Sequence, residues 1–214
     1  KLIGHADAAM YHAKAQGRQC FQFFTENVLR SSSQRLQMEN ELHGAVLHGE
    51  LRLHYQPRIE LARGTLSATE ALVRWQHPEK GLVSPGEFIP LAEETGLIHA
   101  IGDWVLREAC RQQRLWRDRG LPVKPVAVNL SAQQFRSRDL HDSIRRILSD
   151  GRLPAHLLEL EITESTLMHN TGETLDTLQR LASSGVKISI DDFGTGYSSL
   201  AYLKRFPGDL LKID

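Results

Sequence analysis

The sequence predicts an α/β fold built from βα units around a parallel sheet. Three observations carry this. From about residue 51 onward, short apolar runs alternate with helix-like stretches. Runs such as V-A-V-N-L (126–130), L-L-E-L-E-I (157–162) and V-K-I-S-I-D (186–191) are apolar enough to be buried on both faces, as parallel strands are. Polar residues concentrate where those runs end. Only the opening hairpin, 51–75, departs from the pattern, and one of its strands is expected to run antiparallel.

Taken in order, residues 5–15 are Ala-rich and predict a short helix stopped by Gly17, followed by a brief aromatic strand at 20–24. This pair is too small for its own core. Residues 25–48 carry Leu29, Leu36, Met38, Leu42, Val46 and Leu47 near helical spacing and predict a linker helix. L-R-L-H-Y-Q-P (51–57) alternates as a strand ending at Pro57, and 66–75 forms its hairpin partner across a turn at 62–65. Ser84 with Glu87 three residues on predicts a capping box. Residues 98–119 predict an amphipathic helix with Ile101, Trp104, Val105, Ala109 and Leu115 inward. Strands at 126–130, 157–162, 186–191 and 209–213 then alternate with helices near 131–135, 139–149, 173–184 and 198–205.

Composition narrows the function classes. The 214 residues are 41% hydrophobic and 24% charged with no net charge, so nothing argues for a long nucleic-acid partner. No apolar run reaches the ~18 residues of a membrane span. Cys20 and Cys110 lie far apart, which fits a reduced cytoplasmic chain better than a disulfide framework. The ten histidines include no H-x-x-x-H pair.

The chemistry sits at the strand ends. Glu70 lies in the second strand, Asn129 ends the third, and Glu161 ends L-L-E-L-E with Glu164 three residues on. Asp191 and Asp192 end V-K-I-S-I-D-D, and Lys212 lies in the last run. By itself D-D-x-G is equally an ordinary turn. In a β/α barrel, however, the C-terminal strand ends converge on one mouth. Five strands offering acids, an amide and an ammonium there point to a site. Oxygen donors without Cys or paired His select Mg²⁺ or Mn²⁺. Glu70, Asn129, Glu161 and Asp191 suit one ion, and Asp192 suits a second about 3.5–4 Å away, as two-metal phosphoesterases use. Lys212 is expected to offset charge at phosphorus or orient water. Arg74 is a candidate phosphate clamp, with a surface arginine beside Trp75 as the bland alternative. Gln56 is a weaker candidate contact to a base or phosphate.

At these residues the chain resembles the EAL domain, a cyclic di-GMP phosphodiesterase family of bacteria. E-A-L at 70–72 sits among Y-Q-P (55–57), G-x-V-S-P-x-x-F-I-P-L-A-E (81–93), V-N-L-S (128–131), E-I-T-E-S (161–165), D-D-F-G-T-G-Y-S-S-L (191–200) and L-K-I-D (211–214), in family order. The resemblance implies a TIM-like barrel with an antiparallel first strand. It implies metal-dependent hydrolysis of cyclic di-GMP to linear pGpG, with Glu70, Asn129, Glu161, Asp191 and Asp192 as metal ligands and Lys212 near the attacking water. It further implies Glu164 as anchor of the D-D-F-G loop, and Gln56, Leu72, Arg74 and Pro90 as contacts to the dinucleotide. Homodimers through this domain occur in the family. A second resemblance, A-D-x-A-M-Y-x-A-K-x-x-G-R (6–18) with its aromatic strand, is to the end of a GGDEF (diguanylate cyclase) domain.

The expected organisation is therefore a GGDEF tail over 1–24, a linker helix over 25–40, and an EAL domain over 41–214. Upstream GGDEF and sensor domains, with any membrane anchor, would belong to the parent protein. The family's A-E-G-V-E-like and Q-G-Y-like segments do not occur in these residues, so the barrel is expected to be incomplete, lacking its last strands. Two rivals stay open: a receptor that binds cyclic di-GMP without cleaving it, and an enolase-like barrel with lysine as base. Residues 1–214 alone are expected to be unstable and inactive; a soluble, active preparation would refute this.

Overall fold

A computed structural model of the chain describes residues 10, 26–137, 139–168, 171–194 and 206–213. The expected elements at 5–15, 20–24 and 198–205 lie outside the described residues, apart from Met10. The chain divides into two compact units, Lys1–Gly49 and Glu50–Asp214. In the first, helix α1 (Glu26–Leu47) runs unbroken through the serine triplet and through position 40. On its surface Gln37 donates to Glu41 one turn on, at 2.7 Å.

Among the described residues, the second unit is a seven-stranded sheet with helices on one side. Its elements are β1 (Leu51–Glu60), β2 (Thr65–His77), β3 (Gly81–Val83), α2 (Pro85–Thr95), α3 (Ile98–Asp118) and β4 (Val126–Asn129). There follow α4 (Ala132–Phe135), α5 (Leu140–Gly151), a 3₁₀ turn (Ala155–Leu157), β5 (Leu158–Thr163), α6 (Glu164–Met168), α7 (Thr171–Ser183), β6 (Lys187–Phe193) and β7 (Leu210–Ile213). Strand order is β1-β2-β4-β5-β6-β7, with β3 beside β2. The hairpin β1–β2 is antiparallel, and β2, β4, β5, β6 and β7 run parallel. The arrangement is the barrel-like α/β fold the sequence predicts, with an antiparallel first strand and, among the described residues, an unclosed sheet.

Several boundaries differ from the sequence reading, each for a local reason. β1 continues past Pro57 to Glu60, because among the described residues it pairs on one side only and an edge strand tolerates proline. The turn is closed by Gly64, whose φ of 63° suits glycine and whose N–H donates to the Glu60 carbonyl at 2.8 Å. β3 is a three-residue strand too short to show alternation. The Ser84 capping box does not form: Ser84 is the N-cap of α2, but its side chain makes no cap bond. A capping box forms instead at Ser131 and Gln134 of α4. On α3, Ile101, Val105 and Ala109 are buried as expected, whereas Trp104 and Leu115 are half-buried and Leu106, Cys110 and Gln113 complete the inner face. Gln113 is buried because its amide donates to the Lys124 carbonyl at 2.7 Å. β6 extends two residues beyond Asp191 to Phe193.

Register fixes two faces. Glu70 pairs with Ala127, Asn129 with Glu161, Glu161 with Ser189, and Thr163 with Asp191. Because side chains alternate along a strand, Gln56, Arg58, Glu70, Leu72, Arg74, Asn129, Glu159, Glu161 and Asp191 share one face. Val126, Val128, Leu158, Leu160, Ile162, Ile188 and Ile190 occupy the other and are buried. Helix α3 packs on β1, β2 and β4 and against α5, and α7 packs on β6. At the hairpin end Trp75 is fully buried, edge-on to Phe88 with centroids 5.9 Å apart, and its indole N–H reaches Glu50 at 3.0 Å.

The helix-side apolar layer accounts for much of the stability. Leu160 has no solvent exposure and Leu61 is 95% exposed. Leu160→Ala is expected to cost about 2–5 kcal/mol and Leu61→Ala within about 0.5 kcal/mol; urea denaturation of the two variants checks both.

Candidate functional site

The polar face of the sheet holds a network of charges centred on Glu161. Burying a carboxylate on a strand is costly unless it is paired. The Glu161 side chain is wholly buried. Its Oε2 accepts from the Lys212 ammonium at 3.0 Å, and its Oε1 accepts from the Arg58 guanidinium at 3.2 Å. Lys212 Nζ also donates to Asp191 Oδ2 at 2.9 Å and to Glu70 Oε2 at 3.3 Å. Asn129 donates its amide N–H to Glu70 Oε1 at 3.0 Å. The structure thus brings together residues of five different strands: Glu70, Asn129, Glu161, Asp191 and Lys212.

Such contacts require curvature. Strands stand about 4.8 Å apart, so β2 and β7, four places apart, would be roughly 19 Å distant in a flat sheet. Lys212 of β7 nevertheless bonds Glu70 of β2. The sheet is rolled toward its polar face, and the rolling gathers the carboxylates.

Asp191 and Asp192 occupy an irregularity. The β6–β7 register shifts between Ile190 and Phe193, and Asp192 has φ of 54°. The kink breaks the strict alternation that would send adjacent side chains to opposite faces. The Asp192 N–H donates to Asp191 Oδ1 at 3.0 Å. Beyond it, the Gly194 N–H donates to Glu164 Oε2 at 3.0 Å, tying the start of the loop to the first residue of α6. Glu164 is buried, and its Oε1 has no hydrogen-bond partner among the described residues. The loop beyond Gly194, with Gly196 and the serines, lies outside them.

The other candidates are less gathered. Gln56 is exposed on β1 directly opposite Glu70. Leu72 and Arg74 follow Glu70 on the same face, and Arg74 donates to the Val73 carbonyl at 2.7 Å. Pro90 is an exposed residue inside α2 and belongs to no ion pair. The sequence reading missed Arg58 and Glu159. Arg58 makes two hydrogen bonds to Glu159, at 2.7 and 2.8 Å, besides the one to Glu161. The E-x-E spacing of 159 and 161 and the spacing of Arg58 from Gln56 were the available signals, since both put the residues on the polar face.

The charge balance favours a cation. Three carboxylates, of Glu70, Glu161 and Asp191, share one ammonium. Burial pushes the Glu161 carboxyl up to about 7, with Glu70 adding to the rise, although Lys212 and Arg58 pull it down. Burial works to lower the Lys212 ammonium, yet its bonds to Asp191 and Glu161 outweigh that and raise it. The site therefore holds Lys212 charged and remains short of positive charge. Among the described residues no three His, Cys, Asp or Glu side chains stand in ready-made metal-binding geometry; the ammonium fills the point where the carboxylates converge. As a donor set, hard oxygens in negative excess fit Mg²⁺ or Mn²⁺. No helix of the described residues is long and apolar enough to cross a membrane.

Residues 39–214 match the family model described as the EAL domain. The whole chain is 52% identical to the bifunctional diguanylate cyclase/cyclic di-GMP phosphodiesterase MucR of Pseudomonas aeruginosa and 48% identical to the cyclic di-GMP phosphodiesterase NbdA of the same organism. It spans 31% and 27% of their lengths. Among solved structures it resembles the PaMucR phosphodiesterase in its c-di-GMP complex, with a TM-score of 0.80 and 53% identity over 83% of this chain and 72% of that one.

The Glu161 shift has a consequence for stability. Its folded value, about 7, lies above the ordinary 4.5, so the folded state binds more protons between them. The contribution is fully present below about pH 4.5 and is lost as pH rises through about 7. In metal-free buffer the melting temperature is expected to fall more from pH 5 to pH 8 in the unmodified protein than in Glu161→Gln. Equal falls would contradict the assignment.

Proposed function

Because the chain belongs to the EAL domain family, we propose that it supplies the site at which its parent protein hydrolyses cyclic di-GMP to linear pGpG. The observation that carries this reading is the convergence of Glu70, Asn129, Glu161, Asp191 and Lys212 from five strands onto one point. Names and bound ligands of the relatives support the substrate.

Glu70, Asn129, Glu161 and Asp191 would hold a hard divalent cation, with Asp192 beside them for a second. Bound there, such cations lower the pKa of a water and polarise a phosphate oxygen. Divalent-metal dependence is general in the family. Lys212 supplies a positive charge and hydrogen-bond donor toward the reacting phosphate. Arg74, on the same strand face as Glu70, pairs with a phosphate oxygen; Gln56, Leu72 and Pro90 line the dinucleotide's path. Glu164 fixes the loop that carries Asp192 through the Gly194 N–H. Water adds to phosphorus as the bond to one ribose oxygen breaks, and that oxygen leaves with a proton. A GGDEF domain upstream is supported by the resemblance at 6–18 and by the bifunctional name of one relative.

The test is product release by the intact protein with Mg²⁺ or Mn²⁺. Linear pGpG is expected, with Lys212→Ala lowering kcat about 10²-fold or more and Arg74→Ala raising KM about tenfold. Bound but intact cyclic di-GMP would mark a receptor instead.

A further inference from the structure

The Arg58–Glu159 pair is not explained by the proposed reaction. Arg58 lies on β1 and Glu159 on β5, three strand positions away, or roughly 14 Å in a flat sheet. Their contact is bidentate, Nη1 to Oε1 at 2.8 Å and Nη2 to Oε2 at 2.7 Å, and the Glu159 side chain is 6% exposed. A fork of this kind constrains orientation as well as charge. As a stabilising device it is poor, because a buried ion pair rarely repays its desolvation relative to apolar residues. Its geometry suggests another use. The same Nη1 that bonds Glu159 also bonds Glu161 Oε1. The second oxygen of Glu161 is the one turned to Lys212 and the convergence point of the carboxylates.

We infer that Arg58, held flat by Glu159, is a positioning residue that locks one oxygen of Glu161 so that the other faces the cation site. The inference rests on the proposed metal-dependent function and extends it to two residues outside the expected ligand set. It assigns β1, the antiparallel edge strand, a part in metal binding although it supplies no ligand. The guanidinium suits this task because it is planar and bonds two carboxylates at once, where a lysine offers a single point charge. Such partners behind a metal ligand typically change metal affinity about 10–100-fold when removed.

The experiment measures Mn²⁺ affinity directly, from the electron paramagnetic resonance signal of free Mn²⁺ over the intact protein, with melting temperature in parallel. Arg58→Met is expected to weaken Mn²⁺ binding about tenfold or more and to lower the melting temperature, because Glu159 is left buried without its partner. The double variant Arg58→Met/Glu159→Gln removes that stranded charge. It is expected to regain most of the melting temperature while its Mn²⁺ affinity stays about tenfold weakened. Mn²⁺ affinity equal to the unmodified protein's, in either variant, would overturn the positioning role and leave a purely structural ion pair. Failure of the unmodified protein to bind Mn²⁺ would instead bring down the metal-dependent reading, and the inference with it.

Discussion

A fully buried carboxylate on the inside of a parallel strand governs this structure. Glu161 has no water to solvate it, so its two oxygens are answered by cations from opposite ends of the sheet, Arg58 of β1 and Lys212 of β7. In a flat sheet β7 would lie two strand places from β5 and β1 three. The pairing and the curvature therefore depend on each other: rolling the sheet brings the cations in, and the cations make burial of the acids tolerable.

The outer face makes that rolling affordable in ordinary terms. Val126, Val128, Leu158, Leu160, Ile162, Ile188 and Ile190 form an apolar layer under α3 and α7, and its burial offsets the cost of the polar face. The division of labour follows strand alternation. In β5 the sequence L-E-L-E-I sends leucine and isoleucine to the helices and both glutamates to the inside, so one strand serves the core and the site together. Among the described residues the register is irregular at two places, Arg58–Ile59 of the hairpin and Ile190–Phe193, and the second holds the adjacent acids Asp191 and Asp192.

Much of this was legible in the residues. The alternating βα pattern, the hairpin and the polar strand ends are properties of local spacing, and Glu70, Asn129, Glu161, Asp191 and Lys212 stand out as acids, amide and ammonium at the ends of apolar runs. The features that were not legible depend on distance across the sheet. Arg58 reads as a strand-end arginine after a proline, and Glu159 as one more acid in an alternating strand. Only curvature makes them partners. Ser84 shows the opposite error: a sound capping sequence whose side chain makes no cap bond, while Ser131 and Gln134 make one. Pro57 did not end its strand because an edge position leaves its missing N–H without consequence.

The sequence by itself determined which residues carry charge, on which strand face each one lies, and the family whose motifs they match in order. These follow from composition and from the period of two along a strand. Tertiary structure alone decided which charges meet. It put one ammonium against three carboxylates, set a guanidinium behind Glu161, and left the cluster in negative excess. The physical reason is that side-chain period is a local property, whereas the separation of β1, β2, β5 and β7 is set by how the whole sheet rolls under its helices.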